Sequence, residues 1–242
     1  MSRESTSWRS ERLGRELKLV RWGVVGTPVL LFPTAAGDAE ECERFLMIDA
    51  LSPLMEAQRI KVYSVDSIGT QAILDDELSR EAAARVQNRF DEAVYREVVP
   101  AIRADCRDEG IEVIVAGASL GAFNALAALT RHPDVFRTAI CMSGTYDLTR
   151  WMTRSSQDWY FSSPLDFLPG LQEGALLDKL RQRFVLLTHG TGRWESPRES
   201  WDVADLLGSR GIPNRVDEWG GEWDHDWPSW RRMLPKYLGE LA

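Results

Sequence analysis

A serine becomes a nucleophile when a base stands beside it, and the base needs a third group to fix its tautomer. The chain sets one serine in the local pattern this chemistry requires, Gly117-Ala118-Ser119-Leu120-Gly121. The strand-like run Glu112–Ala116 precedes it and the helical run Leu120–Arg131 follows. So sharp a turn forces Ser119 into a strained backbone, and side chains two positions to either side would collide, which explains both glycines. A helix beginning at Leu120 aims backbone N–H groups and its positive end at a developing oxyanion. Without chemistry the pattern would be a glycine-rich strand-to-helix turn.

Three histidines are candidates for the base. His132 stands in Arg131-His132-Pro133-Asp134, where a helix stops before a proline, and reads as structural. His189 ends an apolar run in Leu187-Thr188-His189-Gly190 and is expected to shape a site at most. His225 follows the last strand-like run, in Trp223-Asp224-His225-Asp226-Trp227-Pro228. The chain order serine, acid, histidine that accompanies such an elbow selects His225. The acid then belongs in the loop His189–Ser196, whose one carboxylate is Glu195; its task is to hold the imidazole and stabilise the imidazolium. Asp224 and Asp226 flank the histidine too closely to reach it from the correct side, and Asp202 stands too far along. Glu195 could also simply favour a nearby helix start. The two oxyanion donors are expected to be the N–H groups of Leu120 and Ala35, the latter in Pro33-Thr34-Ala35-Ala36-Gly37-Asp38, with Thr34 as the near alternative.

These residues must be carried by a sheet. Apolar runs at Leu17–Trp22, Pro28–Phe32, Ile60–Val65, Glu112–Ala116, Thr138–Met142, Phe184–Thr188 and Asn214–Asp217 read as strands. They alternate with helical patterns at Glu40–Leu51, Ala82–Asp108, Leu120–Arg131, Leu176–Arg183, Pro197–Ser209 and Trp227–Leu241. That alternation predicts one α/β domain over 1–242, a mostly parallel central sheet with helices on both faces and an antiparallel strand at its edge. Asp38 with Glu41 suggests a capping box, and Ser196-Pro197 a helix start. Arg150–Gly170 reads as one long irregular segment, rich in aromatics, of the kind that serves a site. Trp151, Trp194 and Trp227, with Trp159, Tyr160 and Trp223, fall on loops expected at the same edge of the sheet, and the first three are the candidate substrate-binding residues. Packing under a long loop would account for the rings equally well. Trp201, Trp219 and Trp230 are expected in helix packing or the core.

Composition narrows the function classes. The 242 residues are 44% hydrophobic and 27% charged, with a formal net charge of −8. No basic stripe is present to meet nucleic acid or an anionic membrane. The opening residues are too charged for a signal peptide, and no run is long enough to span a bilayer. Cys42, Cys106 and Cys141 lie far apart, which suits reduced thiols and a cytoplasmic location better than a disulfide framework or zinc site. Asp224-His225-Asp226 points its side chains in different directions, so no metal or other cofactor is expected. The expected partner is a small-molecule ester; self-association of the chain is left open.

The chain resembles the putative-esterase branch of the α/β-hydrolases, which includes esterase D, feruloyl esterases, enterochelin esterases and mycolyl transferases. The likeness runs from about Pro28 to Leu238. It rests on Gly117–Gly121 with Asn124, on His132-Pro133-Asp134-Val135-Phe136, on His225-Asp226-Trp227-Pro228-Ser229-Trp230, and on Leu234-Pro235-Lys236-Tyr237-Leu238. It implies the α/β-hydrolase fold, carboxylic-ester hydrolysis or acyl transfer, no cofactor, and a Ser–acid–His triad in which some members use Glu. The opening loop departs from the family in carrying Thr34-Ala35-Ala36 where more glycine is usual. The three side chains a triad requires are present, which favours catalysis over a non-catalytic role in binding a ligand or partner.

Overall fold

Successive residues of Val113-Ile114-Val115-Ala116 are all buried, odd and even positions facing opposite apolar layers. A strand with no wet face belongs inside a sheet covered on both sides. The computed structural model describes residues 2–35, 37–152 and 156–242. Its strands are β1 (Arg3–Arg9), β2 (Glu16–Trp22), β3 (Thr27–Phe32), β4 (Ile60–Val65), β5 (Val113–Ala118), β6 (Phe136–Met142), β7 (Phe184–His189) and β8 (Asn214–Glu218). They form one eight-stranded sheet in the order β1-β2-β4-β3-β5-β6-β7-β8. Pairing is parallel from β4 across to β8, whereas β2 joins β4 and β1 joins β2 antiparallel.

The helices are α1 (Glu41–Arg44), α2 (Met47–Glu56), α3 (Ile68–Ile73), α4 (Arg80–Ala93), α5 (Val99–Cys106), α6 (Leu120–Arg131), α7 (Gln157–Ser162), α8 (Pro164–Phe167), α9 (Ala175–Leu180), α10 (Pro197–Ser209) and α11 (Trp227–Leu241). One face of the sheet is covered by α2 and α11 through Leu51, Met55, Trp230, Met233, Leu234 and Leu238. The other is covered by α3 to α10, with Phe90, Ile102, Phe123, Leu126, Trp159, Leu177 and Leu207 among the contacts. Residues Leu120–Thr130 of α6 are all buried, and its alanines let the helix lie close to the strands. Among the described residues no helix is long and apolar enough to cross a membrane. The fold is the mostly parallel α/β-hydrolase arrangement.

Several elements differ from the sequence expectation. β1 has no apolar face, since six of its seven residues are exposed, so no hydrophobic alternation announces it. The expected helix at Glu40–Leu51 is two helices, because Leu46 adopts a left-handed φ of 60° between α1 and α2. Glu41 does not complete a capping box; its carboxylate turns inward to Thr34. The run expected at Ala82–Asp108 begins at Arg80, capped by Ser79, and widens into a π turn at Val94–Val98 before α5. Pro100 accounts for the wide turn, since a proline lacks its N–H and crowds the carbonyl one turn back. Arg150–Gly170 is not irregular: it holds α7, α8 and a 3-10 turn at Leu168–Gly170. Residues 153–155 of that stretch, and Ala36 of the opening loop, lie outside the described residues.

Candidate active site

Each candidate catalytic residue stands in the segment that follows a parallel strand. Ser119 follows β5, Glu195 follows β7, His225 follows β8, and the loop from Pro33 follows β3. In an open parallel sheet this carboxyl edge is where ligands bind.

Ser119 has φ 56° and ψ −122°, a strained conformation for a side-chain-bearing residue, and is the residue from which α6 starts. The elbow is fixed by its own backbone: Ser119 N–H donates to the Met142 carbonyl at 3.0 Å, and the Ser119 carbonyl accepts from Ala122 at 3.1 Å and Thr145 at 3.2 Å. A Cβ at position 117 would stand 2.3 Å from the Gly121 carbonyl, and one at position 121 would stand 2.4 Å from the Phe32 carbonyl. The two glycines therefore let strand, helix and opening loop converge on one serine.

The opening loop is held by a buried carboxylate. Glu41, 7% exposed, accepts from Thr34 N–H and from Thr34 Oγ1, both at 2.7 Å. The Thr34 N–H is thereby occupied by Glu41. The Ala35 carbonyl accepts from Thr70 Oγ1 at 2.5 Å, which ties the loop to the start of α3.

The acid and base loops are joined edge to edge. His225 N–H donates to the Arg193 carbonyl at 3.0 Å, and Gly192 N–H to the Trp223 carbonyl at 3.1 Å. Gly190 allows this approach, since a Cβ there would fall 1.8 Å from the Trp223 carbonyl oxygen. Trp194 takes a left-handed φ of 67° with its ring 85% exposed, and the next side chain, Glu195, turns inward until it is 1% exposed. Glu195 Oε1 accepts from Ser143 Oγ at 2.6 Å and from Gly190 N–H at 3.2 Å. Glu195 Oε2 is buried and lies 3.8 Å from His225 Nδ1, longer than a hydrogen bond and within ion-pair range. The His225 ring packs edge-on to Trp230 with centroids 5.3 Å apart.

The competing groups are engaged elsewhere. Asp224 accepts from the Arg193 N–H at 2.6 Å and pairs with its guanidinium at 3.0 Å. Those bonds hold its carboxyl below the ordinary aspartate value. Asp226 caps α11 by accepting from Trp227 N–H. Asp202 pairs with Arg198 along α10 at 2.6 Å. His132 Nε2 meets Asp91 at 2.7 Å, far from the sheet's carboxyl edge. His189 is 1% exposed, with Nδ1 against the Gly190 carbonyl at 2.9 Å. Among the described residues no group of three or more His, Cys, Asp and Glu could hold a metal ion.

The aromatic residues fall in different places. Trp227 is half-buried, stacks on Phe45 with centroids 4.8 Å apart, and lines a narrow surface hollow with Thr34, Glu41, Gly117 and Ala118. Trp151 is half-buried beneath Arg150 at 3.6 Å and lines a separate hollow with Asp75 and Arg80. Trp194 projects into solvent. Trp159, expected on a loop at the site, is instead buried against Phe123 with centroids 5.8 Å apart, because α7 turns it into the core. Three contributors escaped the sequence reading: Glu41, Ser143 and Glu199, whose carboxylate accepts from the N–H groups of Tyr146 and Asp147 after β6. Ser143 had a legible signal, since it directly follows an apolar strand run; the other two had none.

Comparisons with known proteins agree with this fold. A family model described as "Putative esterase" matches residues 75–241. No curated protein sequence matches the chain. Among solved structures, a ferulic acid esterase superposes with a TM-score of 0.76 at 16% identity, covering 98% of this chain and 96% of that one. MPT51 (FbpC1) of Mycobacterium tuberculosis gives a TM-score of 0.75 at 17% identity, covering 100% and 98%. The S-formylglutathione hydrolase FrmB of Staphylococcus aureus gives 0.67 at 15% identity, covering 99% and 95%. These structures share the fold, and the family model extends over most of the chain: the protein belongs to the putative-esterase family and is a carboxylic ester hydrolase.

Proposed function

We propose that the protein cleaves a carboxylic ester through an acyl-enzyme on Ser119, with His225 as base and Glu195 as the acid that orients it. The observation that carries this reading is the buried Glu195 carboxylate facing His225 Nδ1 at 3.8 Å, with Ser119 at a strained elbow on the same edge of the sheet. A carboxylate beside Nδ1 keeps the proton on that nitrogen and presents Nε2 to the serine. Ser119 Oγ bonds to the ester carbon as its proton passes to Nε2. The carbonyl electrons move onto oxygen, where the N–H groups of Leu120 and Ala35 receive the charge. Collapse breaks the ester bond, and the imidazolium protonates the departing alcohol. Water then attacks the acyl-enzyme with His225 again taking the proton; collapse releases the carboxylic acid as the imidazolium returns that proton to Ser119 Oγ. No cofactor is required.

Trp227 is the aromatic residue we place against the substrate, because it lines a hollow shared with Thr34 of the opening loop and with Gly117 and Ala118, the two residues that lead into Ser119. Trp151 and Trp194 would act only on substrate parts that reach beyond that hollow. Cys42, Cys106 and Cys141 are all free, which fits a reducing, cytoplasmic setting for the reaction.

Labelling by a fluorophosphonate probe tests the base. The parent protein labels on Ser119, and His225→Ala loses labelling because the serine has no proton acceptor. His189→Asn and His132→Asn keep it. Labelling retained in His225→Ala but lost in His189→Asn would remove His225 from the mechanism.

A further inference from the structure

The triad reading leaves one matter open: what decides which oxygen of Glu195 meets His225. We propose that Ser143 and Trp230 are positioning residues, joined in a chain from Trp230 through Ser143 to Glu195 that fixes the rotation of the acid. The proposal rests on the assignment of Glu195 as that acid. Trp230 Nε1 donates to Ser143 Oγ at 3.0 Å, and Ser143 Oγ donates to Glu195 Oε1 at 2.6 Å. Ser143 is 3% exposed and Trp230 4% exposed, so water does not compete for either bond.

The chemistry of the groups sets the direction of the chain. An indole N–H can only donate, so Trp230 must take a lone pair of the serine oxygen. The single hydroxyl proton of Ser143 is then directed at the carboxylate. Each bond polarises the next, which strengthens the short charge-assisted one at the end. With Ser143 and the Gly190 N–H both on Oε1, that oxygen is satisfied. Oε2 has no hydrogen-bond partner and is buried, so the imidazolium that forms at His225 is the donor it can gain. A carboxylate free to rotate would share its charge among its donors and face the base only part of the time.

Two features of the fold bear on the same point. Ser143 has a φ of 45°, a left-handed backbone that glycine adopts at lower cost. The position instead carries a hydroxyl, and this hydroxyl is the group bonded to the acid. Trp230 also lies edge-on to His225, so one side chain of α11 sets the base by packing and the acid through Ser143. β6, the loop after β7 and α11 are thereby joined at a single oxygen.

The test is a double-mutant cycle on steady-state ester turnover, with unfolding temperature followed for each protein. Ser143→Ala should lower kcat about ten- to a hundredfold, as expected for loss of a hydrogen bond to a charged group. Its KM should change little, because the loss falls on the transition state. Trp230→Phe keeps the ring beside His225 and removes only the donor, and should lower kcat about three- to tenfold. In a Glu195→Gln background both substitutions should lose nearly all their effect, since residues acting through one group are not additive. Undiminished kcat in a folded Ser143→Ala and in Trp230→Phe overturns the chain. So does an effect of either that persists at full size beside Glu195→Gln. If Ser143→Ala does not fold, Trp230→Phe alone decides. Glu195→Gln that is itself silent removes the triad assignment, a failure distinguishable from that of the chain.

Discussion

Ser119→Ala removes ester turnover and leaves the fold standing. Alanine keeps the Cβ that the elbow already accommodates, and the backbone bonds from Ser119 to Met142, Ala122 and Thr145 do not involve the hydroxyl. The expected loss in kcat on p-nitrophenyl acetate is on the order of 10⁴- to 10⁶-fold, the scale seen when a triad nucleophile is deleted. Unfolding temperature should match the parent within a few degrees, because no buried hydroxyl partner is abandoned. The remaining rate reports the two oxyanion amides and substrate binding, which outlive the serine. A variant within a few-fold of the parent in a clean preparation would place the nucleophile elsewhere.

Glu195→Gln is the second large effect. The amide is nearly the same size, so packing in the 1%-exposed position survives, but the charge facing His225 is lost. Its NH₂ group also presents a donor to a site that already holds two donors, Ser143 Oγ and Gly190 N–H. The loss of imidazolium stabilisation and of the correct tautomer lowers kcat by about 10⁴-fold. Asp226→Asn should lower turnover far less: that side chain caps α11, and asparagine caps a helix about as well, so stability should change little. Asp224→Asn weakens an exposed pair with Arg193 and should be nearly silent. Steady-state kinetics with thermal unfolding on the three variants separates these cases. A crippled Asp226→Asn beside a near-normal Glu195→Gln would reassign the acid.

The parts of the site that were legible in the sequence are those specified locally. The elbow is written in five consecutive residues, because the turn excludes any side chain at positions 117 and 121. β4, α6, α10 and α11 have the boundaries read from the apolar pattern, because each buries one or both faces along its whole length. His225 and Glu195, proposed from chain order and from there being one carboxylate in a short loop, lie 3.8 Å apart in the fold. What escaped was written across distance. The Trp230–Ser143 bond spans 87 positions, and the Asn88–Asp158 contact that seats α7 on α4 spans 70. Glu41 looked like a helix-start residue because its local spacing fits a capping box; only the fold shows that Thr34 is the nearer claim on its carboxylate. β1 has no hydrophobic alternation to mark it, because six of its seven residues are exposed and its ties to β2 are the backbone ladder and the Glu4–Arg21 ion pair.

Glu41 has a consequence for the opening loop. Where glycines would let a loop adopt the oxyanion conformation freely, here a buried carboxylate and the Thr70 hydroxyl hold a loop of threonine and alanine in place. Rigidity of donors is what makes an oxyanion hole effective, since no reorganisation is then needed as charge develops.

The central claim, that the acyl group passes through Ser119, is tested most directly by trapping the intermediate. The protein is mixed with p-nitrophenyl acetate, quenched in acid during the first turnovers, digested and analysed by mass spectrometry. The mechanism predicts an acetyl group on the peptide containing Ser119, on that hydroxyl, and none in Ser119→Ala. Acetylation confined to another residue, or turnover of the ester with no acyl-protein at any quench time, would contradict it.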